Sequence, residues 1–283
     1  MRNNRLRKIV IWLVAVATIS LTVAFIAFMN TGNYRIFLRN SNHDGGKIID
    51  ELRTINMENV NAILITAVSS DMHVYAKDIK DIEVHYYGKS FFNCERLCPV
   101  LKTELGRNMI NITIEYPQKA LFNYLDVNLD VFIPKNYIGN IHTSNVSGET
   151  WIENLIIENC SCVTVSGNIN LKNLVSKDLS LKTTSGNIFI KDMTGNLTAN
   201  SVSGDLDVSY SIFSNFIDVN SISGKVKIKF PIDTYFNLNT NTLSGKVVNQ
   251  FSGSIYSSVD DQSELVKKSV NIKTVSGDIY LTK

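Results

Sequence analysis

Four cysteines fall into two close pairs, Cys94 with Cys98 and Cys160 with Cys162, and thiolates in such pairs bind structural zinc or close a disulfide. Counted back from Ser166, Cys160 and Cys162 occupy the same places that Leu179 and Leu181 occupy before Ser185. Free cysteine packs as a small hydrophobe, so this pair reads as core and not as a metal site. Cys94 and Cys98 are not held by that phase, and a local disulfide between them stays open. Asp126, Asn128 and Asp130 alternate with Val127, Leu129 and Val131, which places three oxygen-bearing side chains on one strand face. A flat row of this kind does not enclose a cation, so it reads as a solvated outer face. His43, His73, His85 and His142 show no metal-ligand spacing and stand beside no nucleophile motif, which makes each a surface or packing residue. There is no G-x-S-x-G and no phosphate-binding glycine loop. No residue is assigned a catalytic, cofactor-binding or metal-binding role, and no cofactor is expected.

The elements that would carry these residues are set by a repeat. The phrases NVSGETWI, TVSGNINL, TTSGNIFI, SVSGDLDV, SISGKVKI, TLSGKVVN and TVSGDIYL place serines at Ser147, Ser166, Ser185, Ser203, Ser223, Ser244 and Ser276. Their spacings are 19, 19, 18, 20, 21 and 32 residues. After most of the glycines the large apolar residues alternate, as in Ile169/Leu171 and Leu206/Val208, and a second alternating pair precedes most of the serines, as in Leu179/Leu181 and Ile217/Val219. Period two marks strands with one face inward. Polar links such as Ser176-Lys177-Asp178 and Thr194-Gly195-Asn196 read as turns between them. Units this short cannot bury an apolar face alone and must stack, which predicts an all-β fold, a parallel β-helix or solenoid, over an antiparallel sandwich. The Thr or Ser two places before six of the seven phrase serines lies, by parity, on the same side as the apolar residues together with that serine. These hydroxyls are expected to bond to one another and to corner backbone, and no ligand is assigned to them.

Residues 45–145 lack the Ser-Gly phrase but keep alternation in NAILITAV, DIEVHYYG and MINITIEY, and read as less regular coils that begin the same domain. The 32-residue spacing reads as an extra loop near residues 250–264 that projects from the rod, with Tyr256, Asp260 and Asp261 as the expected partner contacts.

Ile9 to Met29 is a run of 21 uncharged residues, about 31 Å as a helix, enough to cross a bilayer core. A cleaved signal has a shorter apolar region and a small-x-small exit, which Ala27-Phe28-Met29 does not offer. Arg2, Arg5, Arg7 and Lys8 precede the run and are expected to stay cytoplasmic, placing the rest outside. The expected organisation is a basic tail over 1–8, a transmembrane helix over 9–29, a stalk over 30–44, and an extracytoplasmic β-helix over 45–283 with Ser-Gly repeats from 145. Lys and Arg total 28 against 26 Asp and Glu, and without the four tail residues the body has 24 against 26. A near-neutral body excludes binding to nucleic acid by phosphate neutralisation.

Leu129-Asp130-Val131-Phe132-Ile133-Pro134-Lys135, followed by the Ser-Gly-Asn/Asp/Lys-Ile/Val phrases from Ser147 to Gly277, resembles a bacterial family of candidate adhesins with a β-helical domain and often one N-terminal membrane helix. The resemblance covers roughly residues 55 to 283 and implies a non-enzymatic interaction role in the cell envelope. It makes the expected partner an unknown protein or a cell-wall glycan. An accessory or sensing part in an envelope-stress response is the alternative that the resemblance also implies, and a polysaccharide-active enzyme is the third, on fold analogy.

Overall fold

The computed structural model describes residues 47–90, 98–116, 125–232, 234–251 and 268–283. The described part is all β, and none of its residues is helical. Its strands are β1 (Lys47–Ile55), β2 (Ala62–Thr66), β3 (Asp71–Lys77), β4 (Ile82–Ser90), β5 (Val100–Leu105), β6 (Met109–Glu115), β7 (Leu125–Pro134), β8 (Asn140–Asn145) and β9 (Thr150–Thr164). They continue with β10 (Ile169–Thr183), β11 (Ile188–Ser203), β12 (Leu206–Ser223), β13 (Val226–Lys229), β14 (Asn237–Thr242), β15 (Val247–Asn249), β16 (Ser269–Ser276) and β17 (Ile279–Thr282).

Parallel pairing joins these strands into two long ladders. One runs β6, β2, β8, then the second halves of β9 to β12, then β16 and β14. The other runs β7, β3, the first halves of β9 to β12, then β13, β17 and β15. From β8 onward each coil passes from the first ladder to the second through a Ser-Gly corner. The alternate residues read as inward are buried, among them Ile169, Leu171, Leu179, Leu181, Ile217 and Val219. This is the stacked-coil architecture that the repeat predicts.

Glycine is required at the corner chiefly because the coils touch there backbone to backbone. A Cβ on Gly167 would stand 1.8 Å from the carbonyl oxygen of Gly148, and one on Gly186 1.8 Å from that of Gly167. The column continues through Gly204, Gly224, Gly277 and Gly245, each against the carbonyl of its predecessor. It begins at Ser70, whose carbonyl faces Gly148. Val68-Ser69-Ser70-Asp71 therefore takes the place of the phrase in an earlier coil, with Ser70 where the others have glycine.

Where the residue after the corner position is Asp or Asn, its side chain ties one coil to the next. The side-chain oxygen of Asp71 accepts the Glu149 amide at 2.7 Å, Asn168 that of Asn187 at 3.0 Å, Asn187 that of Asp205 at 2.9 Å, and Asp205 that of Lys225 at 2.8 Å. The hydroxyl column divides at the corner. Thr164 and Thr183 are buried and accept the Gly167 and Gly186 amides, whereas Ser166 and Ser185 are exposed and donate to carbonyls of the preceding coil. The shared side expected for both holds only for the first of each pair, because the corner begins between them.

β9 to β12 run through the polar links as strands of 15 to 18 residues whose register shifts there, between Val175 and Asp178 and between Gly195 and Leu197. Within the same strands Asn154, Asn173 and Asp192 hold φ of 58°, 50° and 58°, a left-handed conformation that Asn and Asp tolerate better than other side-chain residues. The extra loop expected near residues 250–264 lies, from residue 252 on, outside the described residues, and the last coils do not stack in sequence order. β16 and β17 lie between β12/β13 and β14/β15, so the last coil of the chain occupies an interior slot and its predecessor forms the end. The N-terminal end repeats the device: β2/β3 lie between β6/β7 and β8/β9. Tyr256, Asp260 and Asp261 lie outside the described residues.

Gly186→Ala is expected to lower stability by about 2–4 kcal/mol, because neither backbone segment at the contact can yield cheaply. Gly106→Ala, whose new methyl meets nothing nearer than Met109 O at 3.3 Å, should stay within about 1 kcal/mol. Thermal unfolding of both variants checks this; equal midpoints would refute the close-contact account.

Candidate functional site

Alternation that buries Met72, Val74, Val84, Tyr86, Leu129 and Val131 turns their neighbours outward on the second ladder. Register then lines up His85, Asp130, His73, Trp151, Asn170, Phe189, Asp207, Lys227 and Tyr280 as one row across nine strands, parallel to the stack. Its N-terminal part is a cluster. Asp130 sits between His73 and His85, with His73 Nδ1 3.5 Å from its Oδ1 and the Tyr87 hydroxyl bonded to its carboxylate. Tyr75 Oη lies 2.7 Å from His73 Nδ1, and His85 Nε2 lies 2.7 Å from Asp50 Oδ1. The His85 and Tyr87 rings stack at 4.5 Å, and Tyr75 stacks on Phe132 at 5.6 Å.

Burial raises the Asp130 carboxyl above its ordinary value, and the charges of His73 and His85 with the Tyr87 bond oppose this only in part. The Tyr75 hydroxyl is pushed up to about 12 by burial first and by the Asp130 charge second. Among the described residues no group of three His, Cys, Asp or Glu side chains is arranged to hold a metal ion. The row combines fixed rings with hydrogen-bonding groups, which suits recognition of a ligand.

Asp130 is thus more shielded than a solvated outer-face reading allows, while Asp126 is exposed. His73 and His85 come together, which spacing alone did not suggest. The signal for it is a pair of His-x-Tyr triplets, His73-Val74-Tyr75 and His85-Tyr86-Tyr87, each putting a histidine and a tyrosine on one strand face. His142 lies on the other ladder, its pKa lowered by burial and then by Lys182. Cys160 and Cys162 are core residues, each 1% exposed, with sulfurs 3.9 Å apart and registered against Leu179 and Leu181. Their mutual hydrogen bond and burial hold the Cys160 thiol well above the usual range. Cys98 is disulfide-bonded; Cys94 and His43 lie outside the described residues.

An all-β stack of Ser-Gly coils with an outward row of aromatic and polar side chains defines a solenoid-type domain. The chain belongs to the Toastrack DUF4097 family, whose match spans residues 60–282. Solved structures similar to it include a candidate adhesin from Bacteroides fragilis, 14% identical, covering 84% of this chain and 97% of that one, with a TM-score of 0.47. A candidate cell adhesion protein from Clostridium sporogenes is 12% identical over 83% of this chain and 99% of that one, with a TM-score of 0.41. A candidate lipid binding protein from Parabacteroides distasonis is 16% identical over 83% and 96%, with a TM-score of 0.44. Comparison with curated proteins finds no match.

Two outcomes follow for the buried groups. Cys162→Ser should destabilise the fold by about 1–3 kcal/mol, since it buries a hydroxyl in a leucine slot; both thiols should resist thiol reagents until denaturant is added, and fast labelling would overturn the core assignment. A carboxyl raised in the folded state keeps its proton longer than in the unfolded chain, so Asp130 makes stability fall as pH rises from about 4 through its folded pKa. Urea denaturation across that range should show wild type losing ground to Asp130→Asn as pH rises, and a pH-independent difference would refute the buried-carboxyl account.

Proposed function

We propose that the protein is a single-pass, membrane-anchored binding module of the bacterial envelope, adhesin-like in action, with residues 1–8 inside and the β-coil body outside. The observation that carries the binding half is the outward row on the second ladder, where register brings His85, Asp130, His73, Trp151 and Phe189 onto one face of a rigid stack. Side chains fixed on strands meet a ligand with little ordering cost, which is what a recognition surface needs. The anchoring half is supported by the uncharged run from Ile9 to Met29 and its basic flank. Among the described residues no helix is long and apolar enough to cross a membrane, and residues 9–29 lie outside them.

Protease added to intact spheroplasts should remove the body while the protein stays with the membrane fraction. A body protected until the membrane is broken would refute the orientation. Crosslinking in intact cells should capture an envelope component; a body that captures none at its native abundance would refute the binding role.

A further inference from the structure

Within the outward row, Trp151, Asn170, Lys172, Phe189, Lys191 and Asp207 line an open groove of ≈ 400 Å³. Asn170 is registered between Trp151 and Phe189, so the two rings stand two strands apart, about 10 Å, near the length of a disaccharide. Phe189 is 43% exposed. The Trp151 indole N–H already donates to Glu149 Oε2 at 3.0 Å, so what the ring offers the groove is hydrocarbon surface. Asp207 has its charge met by Lys227 at 3.1 Å.

Lys172 and Lys191 are direct neighbours on adjacent strands, two residues beyond Asn170 and Phe189, and both are exposed. No ion pair among the described residues engages either one, although Glu153 is registered on the far side of Lys172. Like charges side by side on neighbouring strands repel, and a bound anion relieves that cost. A peptide added as an extra strand needs an open sheet edge, and β10 and β11 are paired on both sides here. Sugar rings, by contrast, stack apolar C–H faces on aromatic rings and leave their hydroxyls for groups such as Asn170.

We propose that this groove binds a carboxylate-bearing polysaccharide, with sugar faces on Trp151 and Phe189 and carboxylates on Lys172 and Lys191. The proposal rests on the binding-module reading and names its ligand class and site. Only two tryptophans exist in the chain, so in full-length protein carrying Trp12→Phe the emission of Trp151 reports the groove alone. Tetragalacturonate should change that emission saturably, while cellotetraose and tetraglutamate, each of four units, should bind at least about tenfold more weakly, a difference of about 1.4 kcal/mol. Lys172→Gln with Lys191→Gln, and separately Phe189→Ala, should each weaken tetragalacturonate about tenfold without moving the thermal midpoint. Absence of a saturable change, equal binding of cellotetraose or of tetraglutamate, or indifference to the lysine pair would each overturn the assignment. If an envelope component is still crosslinked in cells by the Phe189→Ala variant while tetragalacturonate fails, the binding-module reading stands and only the polysaccharide assignment is lost.

Discussion

The contact on which the structure depends is the one between a glycine Cα and the carbonyl oxygen of the glycine in the coil before it. At 1.8 to 2.2 Å from a hypothetical Cβ over most of the column, no side chain fits there. The close approach allows the Asn and Asp residues that follow to reach the next coil's amide, and those bonds lock the phase of successive coils. With phase locked, every apolar residue of one coil lies over its counterpart, and the core becomes a set of columns such as Ile169, Ile188, Leu206, Val226 and Ile279. A slip of one residue would turn every such column outward, so the glycine contact protects the core as well as the corner.

Stacked coils leave two ends, and the chain treats them alike. Its first and last full coils are each enclosed by the coil adjacent to them in sequence, so β2, β3, β16 and β17 are paired on both edges. Beyond that, antiparallel β1, β4 and β5 cover the N-terminal side of the stack. At the other end the core closes with Tyr210, Phe213, Phe230, Phe236 and Phe251, whose neighbouring rings lie 4.6 to 6.0 Å apart. Both devices address the same problem, an apolar column and a strand edge that would otherwise meet water or another chain.

The outward row follows from the same phase lock. Once core residues superimpose, outer residues must superimpose too, and whatever type each coil carries becomes one position in a line with a spacing of about 4.8 Å. The early coils place His and Asp there, and the later ones place Trp, Asn, Phe, Asp, Lys and Tyr. Successive members of the row are therefore 18 to 78 residues apart in sequence but neighbours in space, held by strands that the core keeps rigid.

The sequence by itself determined the coil: Ser-Gly spacing, period-two alternation and the place of Cys160 and Cys162 in the leucine columns are local patterns, and local patterns survive in a linear reading. It also carried the family likeness. The order of the coils was decided only by tertiary structure, because a parallel strand pairs as well with the coil after next as with the next one when the columns match. Ser70 is legible only in the structure, where its carbonyl faces Gly148 at the head of the described glycine column. The His73, Asp130 and His85 cluster was likewise invisible, because its members come from three strands whose adjacency depends on β7 pairing parallel to β3 and antiparallel to β4. Residue spacing records which face a side chain takes, whereas which faces meet is set by how the whole chain packs.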